Sequence, residues 1–600
     1  MDAPAVSPVS FDADGVPHSR RYGDVYFSRE GGLAESRTVF LAGCGLPGRW
    51  SGRRRFTVGE LGFGTGLNIL ALLALWRERR PSGAQLSIFS VEAEPLTADE
   101  ARRALAAWPE LAPAADLLLA RWPGRRRGFH RIDLPELGAT LDLAVMDAAA
   151  ALSAWRGRAD AWFLDGFAPS VNPAMWTDDL MALVAQRSAS GAVAATYTVA
   201  GQARRALSAA GFTLQRRPGF GGKRERLEAT LPGEAPIDAP APPRVAIVGA
   251  GIAGAALARA FQLQGLEARV FETAQPGSGP SGNPAALVTP RLDAGLGEAA
   301  QLHAQAFAGA VALYEAVSGA VVGRGVLQLE AAPRDAARFA RIAAADLYEP
   351  GALGLWSAAE VSAALGEAAP AALHLAAALT IDPGAILAAW LPPVETGRVT
   401  ALAPGDGAWR LLSADGRTLA EADVVCLASG AALAELWPGA PIQPVRGQLS
   451  YARGVASPAA AWGHYVAPTR DGIVFGATHA RDDASAEWRA DDDRRNLAVL
   501  AERLPALASR LGAARIDGRA SVRATTPDRL PMAGQVARGL YVLGGLGSRG
   551  FTLAPLLAEQ VAALALGAPS PLPASLARIV GPDRFADRAA RRLAGARAAV

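Results

Sequence analysis

Gly62, Gly64 and Gly66 fall at G-x-G-x-G spacing in FTVGELGFGTGLN, and Gly249, Gly251 and Gly254 at G-x-G-x-x-G spacing in RVAIVGAGIAGAALA. Each run follows an apolar, strand-like segment. Glycine there lets the backbone turn sharply and approach a ligand with no side chain in the way. The two patterns differ in grammar, which points to two ligands. The second suits a dinucleotide, its pyrophosphate on the N-terminus of a helix starting near Ile252, with Glu272 about 20 residues on to accept from ribose hydroxyls. The first is looser and suits a ligand with no phosphates to cradle, such as S-adenosylmethionine. Glu60 and Asn68 flank that loop. Glu92 ends the next strand, where a carboxylate can accept from both ribose hydroxyls, and Asp147 ends the strand after it, at the place of an adenine edge. Any one of these acids alone reads as a turn residue; three in this order read as a site.

Two further constellations carry chemistry. In WFLDGFAPSVNPAMW (162–176), Asp165 leaves a strand into a loop stiffened by Pro169 and Pro173, with Phe167, Met175 and Trp176 beside it. A carboxylate so placed can hold an amine and take up its proton while the aromatics cover a flat substrate. Methyl transfer to nitrogen needs an aligned neutral lone pair, so positioning should contribute most. In the second half, the glycine pattern by itself does not separate NAD from FAD. Two segments favour FAD: PSGNPAALVTP (280–290), with Ser281, Gly282 and Asn283, and GGLGSRGF (544–551), with Gly545, Gly547, Ser548, Arg549 and Gly550. The latter would aim backbone N–H groups at the electron-rich edge of a flavin. Arg523 and Tyr465 are expected to clamp a carboxylate, the arginine through its bidentate fork. Amine oxidation by a flavin asks for a neutral amine over the ring and no obligatory histidine. The six histidines form no triad or metal-ligand spacing, so no metal is expected.

These residues need elements to hold them. Strand-like and helix-like segments alternate through the first 230 residues and end in a hairpin, GFTLQRRPGFGGKRERLEATL. That is the pattern of a parallel, doubly wound α/β sheet, here of the seven-stranded methyltransferase kind. LPGEAPIDAPAPPR (231–244) is proline-rich and aperiodic, which reads as an extended linker. The expected domains are 1–235 and 244–600, with 236–243 between them. The second opens with a β-α-β unit over 244–272, continues through a long alanine-rich helical region and two strand-rich stretches (about 400–430 and 440–480), and closes on a strand, the 544–551 loop and a helix. At 600 residues with half of them hydrophobic and 20% charged, this is globular chain rather than disorder. No apolar run suggests a membrane span, the N-terminus lacks a signal-peptide core, and two isolated cysteines suggest no disulfides, so a cytoplasmic location is expected. The net charge of +3 does not by itself imply nucleic acid. Lys223 is the only lysine; basic clusters at 53–55, 125–127, 223–226 and 584–592 are compatible with phosphate contacts, though each reads first as a solvated face.

Taken together, DVYFS (24–28), ELGFGTGLN, DAWFLDGFAP with NPAMW, GFGGKRE (219–225), VAIVGAGIAG, SGNPAAL, RATTPDRLPMAG and GLGSRGF closely resemble the MnmC family of bifunctional tRNA-modifying proteins, over nearly the whole chain. The resemblance implies a Rossmann-like methyltransferase fused to a glycine-oxidase-like FAD domain with an antiparallel substrate subdomain. It further implies that the C-terminal domain oxidises carboxymethylaminomethyl-uridine at the wobble position of tRNA, releasing glyoxylate, and that the N-terminal domain methylates the amine left behind. On this basis Tyr26, Phe167, Trp176 and Lys223 are expected to contact substrate, with Asp165, Arg523 and Tyr465 catalytic; a monomer is expected. The segment after Asp147 is bland, which leaves that residue's role open. From the residues without the resemblance, two alternatives stand: an amine oxidase fused to a small-molecule N-methyltransferase, and a non-catalytic RNA-binding scaffold.

Overall fold

The computed structural model describes residues 7–28, 31–235, 241–512 and 514–598, and the chain divides into two compact units, one chiefly Met1–Ala241 and the other chiefly Leu266–Gly567. Residues 236–240, at the heart of the expected linker, lie outside the described residues.

The first unit is built on one mixed sheet. Five parallel strands, in the order Ala139–Val145, Gln85–Glu92, Arg55–Leu61, Ala159–Leu164 and Ser188–Thr196, form its middle. Both faces are covered, which is why these strands read as nearly unbroken apolar runs. Leu67–Arg79, Ala98–Leu105 and Ala112–Leu119 contribute to one core; Ala148–Ala154, Asp178–Gln186 and Gly201–Ala209 contribute to the other. The hairpin Thr213–Pro218 and Glu225–Thr230 closes one edge in antiparallel pairing, as expected. The strand count differs from the expected seven. Gly128–Leu134 (GFHRIDL) adds an eighth, paired antiparallel with Ala139–Val145 after a short turn through left-handed Gly138. Its buried His130 and half-buried Arg131 and Asp133 break the apolar pattern that marks the inner strands.

The second unit has a six-stranded sheet in the order Val394–Thr396, Ala268–Glu272, Val245–Val248, Val424–Leu427, Leu540–Gly544 and Met532–Ala537, parallel except for the last. A ten-stranded sheet is antiparallel apart from the pairing of Val321–Leu329 with Ala460–Ala461, and Ala401–Pro404, Trp409–Leu412 and Thr418–Ala422 form a small antiparallel sheet of their own. The region from 290 to 400 is less helical than expected. Strands Val321–Leu329, Leu353–Trp356 and Ala372–Ile381 alternate there with four helices. ALHLAAALTI is alanine-rich, but sheet pairing on both sides overrides that local preference.

Candidate active sites

The strand Arg55–Leu61 ends at Gly62, whose φ of +92° and approach to the Gly166 backbone admit no side chain; a Cβ there would lie 3.3 Å from Gly166 Cα. Gly66, in the left-handed region, then caps the helix Leu67–Arg79. Glu92 ties this loop to its own strand end. Its Oε2 accepts from Gly64 N–H at 2.9 Å and its Oε1 from Glu94 N–H at 2.9 Å, and burial raises its pKa. Glu60, wholly buried, accepts from Ser90 Oγ at 2.6 Å, while its Oε1 has no partner among the described residues. Burial holds its carboxyl well above the ordinary range. An orphaned buried acceptor beside a glycine-rich loop fits a ligand bearing an N–H donor, such as the amino group of a methyl donor. Asp147 is exposed and caps the helix Ala148–Ala154, its Oδ1 accepting from Ala149 N–H and Ala150 N–H at 2.9 and 3.1 Å. That cap is its visible role.

Asp165 ends the strand Ala159–Leu164 against the same loop. Its Oδ1 accepts from Gly166 N–H at 2.8 Å and its Oδ2 from Asn68 Nδ2 at 2.7 Å; burial nevertheless pushes its pKa up to about 6. Ser36 Oγ donates to Asn68 Oδ1, which fixes the amide. Around this centre stand Tyr197, donating to Gly166 O at 2.7 Å, and Lys223, which lies 3.9 Å from the Tyr197 ring centroid and 2.9 Å from Glu35. Tyr26 meets the Phe167 ring edge-on at 5.4 Å and Tyr22 meets it at 4.8 Å. The sequence-predicted Asn68, Asp165, Tyr26, Phe167 and Lys223 therefore gather round the glycine loop. Trp176 does not face a substrate: only 1% exposed, it packs in the core and donates to Phe167 O at 3.3 Å, supporting the loop from beneath.

In the second unit a cavity of about 700 Å³ is lined by the loops at 248–253 and 543–551, the 277–289 segment, Tyr465 and Arg523. A Cβ on Gly249 would lie 2.5 Å from Ala428 O, and one on Gly254 would overlap Gly249 O, so helix Ile252–Leu263 packs directly on the loop. Glu272 closes its strand and accepts from Ala250 N–H at 2.8 Å and Thr273 N–H at 2.7 Å. Ser281 Oγ accepts from Ile252 N–H at 2.9 Å, and Gly282 packs against Gly277 O. Arg549 donates to Thr289 O and Oγ1 at 3.0 and 2.7 Å, joining the 280–290 and 544–551 segments; burial lowers its pKa to about 10. Gly545 and Gly547 hold positive φ in that loop, Gly550 opens the helix Gly550–Leu566, and Ser548 is exposed. A groove bounded by glycine backbone at one end and by loop N–H groups at the other fits an extended dinucleotide.

At the other end of the cavity, Arg523 lies over Gly447, where any Cβ would strike the guanidinium. Among the described residues no carboxylate pairs with it, and burial lowers its pKa. A desolvated cation without a counter-charge is costly, and an incoming carboxylate relieves that cost. Tyr465, whose pKa burial raises, stands close enough to Arg523 to interact with it electrostatically. Two residues here escaped sequence reading. Arg519 donates to Asn283 Oδ1 at 2.7 Å and to the carbonyls of Ser278 and Gly279 at 2.9 and 2.8 Å, fixing the loop that lines the groove. His479 lies with its Nδ1 3.5 Å from Arg523 Nη1. Neither has a local motif; both acquire meaning from strand pairing. The basic clusters are partly engaged internally, as in Arg53–Asp160, Arg226–Glu228 and Arg584–Asp528. Among the described residues no group of three or more His, Cys, Asp or Glu could hold a metal, and no helix is long and apolar enough to cross a membrane.

Comparison with known proteins matches residues 109–232 to an S-adenosyl-L-methionine-dependent methyltransferase family and residues 244–564 to an FAD dependent oxidoreductase family. The chain is 59% identical to the tRNA 5-methylaminomethyl-2-thiouridine biosynthesis bifunctional protein MnmC of Caulobacter sp. (strain K31), over 98% of this chain and 99% of that one. It is 43% identical to the protein of the same description in Maricaulis maris (strain MCS10), over 96% and 95%. Among solved structures, glycine oxidase from Geobacillus kaustophilus aligns with 54% of this chain and 95% of its own, at 23% identity and a TM-score of 0.48.

Proposed function

The chain belongs to the MnmC family of bifunctional tRNA-modifying proteins, and from that premise we propose that it acts twice on one wobble uridine of tRNA, oxidising first and methylating second. The oxidoreductase unit removes the carboxymethyl group of carboxymethylaminomethyl-(2-thio)uridine as glyoxylate, leaving the aminomethyl group. The methyltransferase unit converts that amine to methylaminomethyl. The observation that carries the order is the complementarity of the two sites: Arg523, half-buried and with no carboxylate partner among the described residues, suits the glycine-like end of the first substrate, and Asp165, a half-buried carboxyl, suits the amine that remains.

When bound, FAD supplies a two-electron acceptor and S-adenosylmethionine an electrophilic methyl group. Gly249, Gly251, Gly254, Glu272, Ser281, Gly282, Asn283 and the 545–550 loop would hold the first; Glu60, Gly62, Gly64, Gly66, Asn68, Glu92 and Asp147 would hold the second. Arg523 and Tyr465 bind and orient the substrate carboxylate, so that the adjacent CH₂–N bond faces the cavity floor. Loss of two electrons and a proton from a C–H bond of that CH₂ leaves an iminium, which water cleaves to glyoxylate and the protonated primary amine. In the first unit, Asp165 holds the amine and takes its proton as the new N–C bond forms, while Phe167 and Tyr26 pack on the base. Asn68 and Gly166 N–H keep the carboxylate aimed. The reading assigns 1–235 and 244–600 as the two domains, with a monomer acting in the cytoplasm.

Incubating hypomodified tRNA with the protein and analysing the nucleosides tests this. Aminomethyl-uridine should accumulate without the methyl donor and methylaminomethyl-uridine should appear with it. An unchanged carboxymethylaminomethyl peak would sink the oxidase assignment. Arg523→Leu should block the first step and spare methylation of tRNA that already carries the aminomethyl group.

A further inference from the structure

The substrate just assigned carries a secondary ammonium at neutral pH, and hydride loss from carbon requires that nitrogen's lone pair. A group that takes this proton inside the cavity lets the abundant ammonium form react without waiting for free amine from solution. Few candidates line the cavity. Glu272 is held by backbone N–H groups at the nucleotide end, and Glu435 is paired with Arg398 at 2.9 Å. Tyr465 is a phenol whose pKa burial raises further, so it offers no phenolate. His464 and His479 remain. His479 is the one that reaches the carboxylate-binding arginine: its Nδ1 lies 3.5 Å from Arg523 Nη1, and since guanidinium N–H groups only donate, the lone pair on Nδ1 is the acceptor. Burial lowers the pKa of His479, and the charged or neutral neighbours that act on it most, Arg523, Arg481, His464 and Arg529, lower it further.

Resting on the two-step reading, we propose that His479 is a further catalytic residue of the oxidase step, taking the substrate's ammonium proton onto Nδ1. When the substrate carboxylate draws the Arg523 N–H toward itself, the Nδ1 lone pair is released. The same negative charge, arriving among four cationic or neutral neighbours, favours protonated imidazole. The N–H bond of the ammonium breaks, its electron pair returns to nitrogen, and an N–H bond forms on His479. The imidazolium then faces the carboxylate that called it forth, and one proton has moved without leaving the site. At 3.5 Å the approach of His479 to Arg523 is long, which suits a bond meant to be exchanged rather than kept.

A carboxylate that brings no ammonium must draw this proton from solution, which gives a readout independent of turnover. The probe is methoxyacetate, which keeps the carboxylate and has an ether in place of the amine. Titrating it calorimetrically into the FAD-loaded protein at pH 7, in buffers of small and large ionisation enthalpy, counts protons taken up on binding. Wild type should take up a substantial fraction of one proton, H479Q close to none, and H464Q as much as wild type. No uptake by wild type, or uptake lost in H464Q and kept in H479Q, overturns the proposal. With tRNA substrate, H479Q should oxidise about 10²-fold more slowly at pH 7, the deficit narrowing about tenfold per pH unit as free amine becomes available. A deficit constant with pH would instead mark a packing role and overturn it too; an unaltered flavin spectrum in H479Q shows that the cavity is intact. Formation of aminomethyl-uridine by wild type in the same assay tests the two-step reading separately, so the failure of either is told apart from failure of the other.

Discussion

Burial holds the Asp165 carboxyl at about 6, so over a narrow pH range its protonation decides whether it can accept a proton at all. Above that value it is a carboxylate and can take the proton of an aminomethyl group; below it the acid is neutral and cannot. Methylation of tRNA bearing the aminomethyl group should therefore fall as pH drops through about 6, while flavin oxidation, which does not involve this residue, need not follow the same curve. Asp165→Asn keeps the shape and removes the base. It should slow methylation by about 10²- to 10⁴-fold and leave glyoxylate release intact, as followed by nucleoside analysis. At this scale the sequence was partly legible. Asp165 announced itself because a polar residue ending an apolar strand before a proline-stiffened loop has few structural reasons to be there. Trp176 misled, because an aromatic in such a loop reads equally as a substrate cover or as the loop's buried anchor, and only its 1% exposure decides. His479 gave no signal: its partner Arg523 is 44 residues away and the two meet only through neighbouring strands.

The glycine loops show what the elements must tolerate. Helix Ile252–Leu263 sits on its strand so tightly that a methyl group at Gly254 would overlap the Gly249 carbonyl, a backbone atom that cannot rotate aside. Gly254→Ala must push the helix away from the loop that would receive the pyrophosphate. The cost should be at least the 1–3 kcal/mol (about) typical of overpacking, seen as a lowered Tm and a reduced ratio of flavin to protein absorbance, with methyl-donor binding unchanged. Gly251→Ala is the milder comparison, since its Cβ would meet only the movable Ser281 hydroxyl at 3.1 Å. Strands buried on both faces were legible as apolar runs, and the fingerprints located the turns after them. The eighth strand, Gly128–Leu134, was not, because an edge strand may carry charges wherever it meets solvent, and its Arg131 is held by Asp142 on the neighbouring strand at 2.6 and 2.8 Å. Ala372–Ile381 was missed for a different reason: alanine prefers helix, and only pairing with strands on either side makes it sheet.

Each unit of the whole molecule holds its own apolar cores: two in the first, on either face of the eight-stranded sheet, and separate clusters in the second, one joining Ala246 and Phe271 to Val425 and Val542, one joining Leu327 to Phe475 and Leu500, and a small one of Ala285, Leu449, Ala467 and Val474. A core that closes within one unit does not need the other to exclude water, so the proposed division at 236–243 should be one that cutting respects. Residues 1–235 and 244–600, produced separately, should each unfold in one cooperative transition, the first stabilised by the methyl donor and the second yellow with bound flavin. Mixed with hypomodified tRNA and both cofactors, the two pieces should still yield methylaminomethyl-uridine, because the intermediate is a stable primary amine on tRNA and can pass through solution. The difference should appear in time: aminomethyl-uridine should rise and fall measurably with the separated pieces, and its peak should shrink as the methyltransferase piece is added in excess. Failure of either piece to fold would mean that the division lies elsewhere. Failure of two folded pieces to complete the sequence would mean that tRNA requires both units on one chain to be held at all.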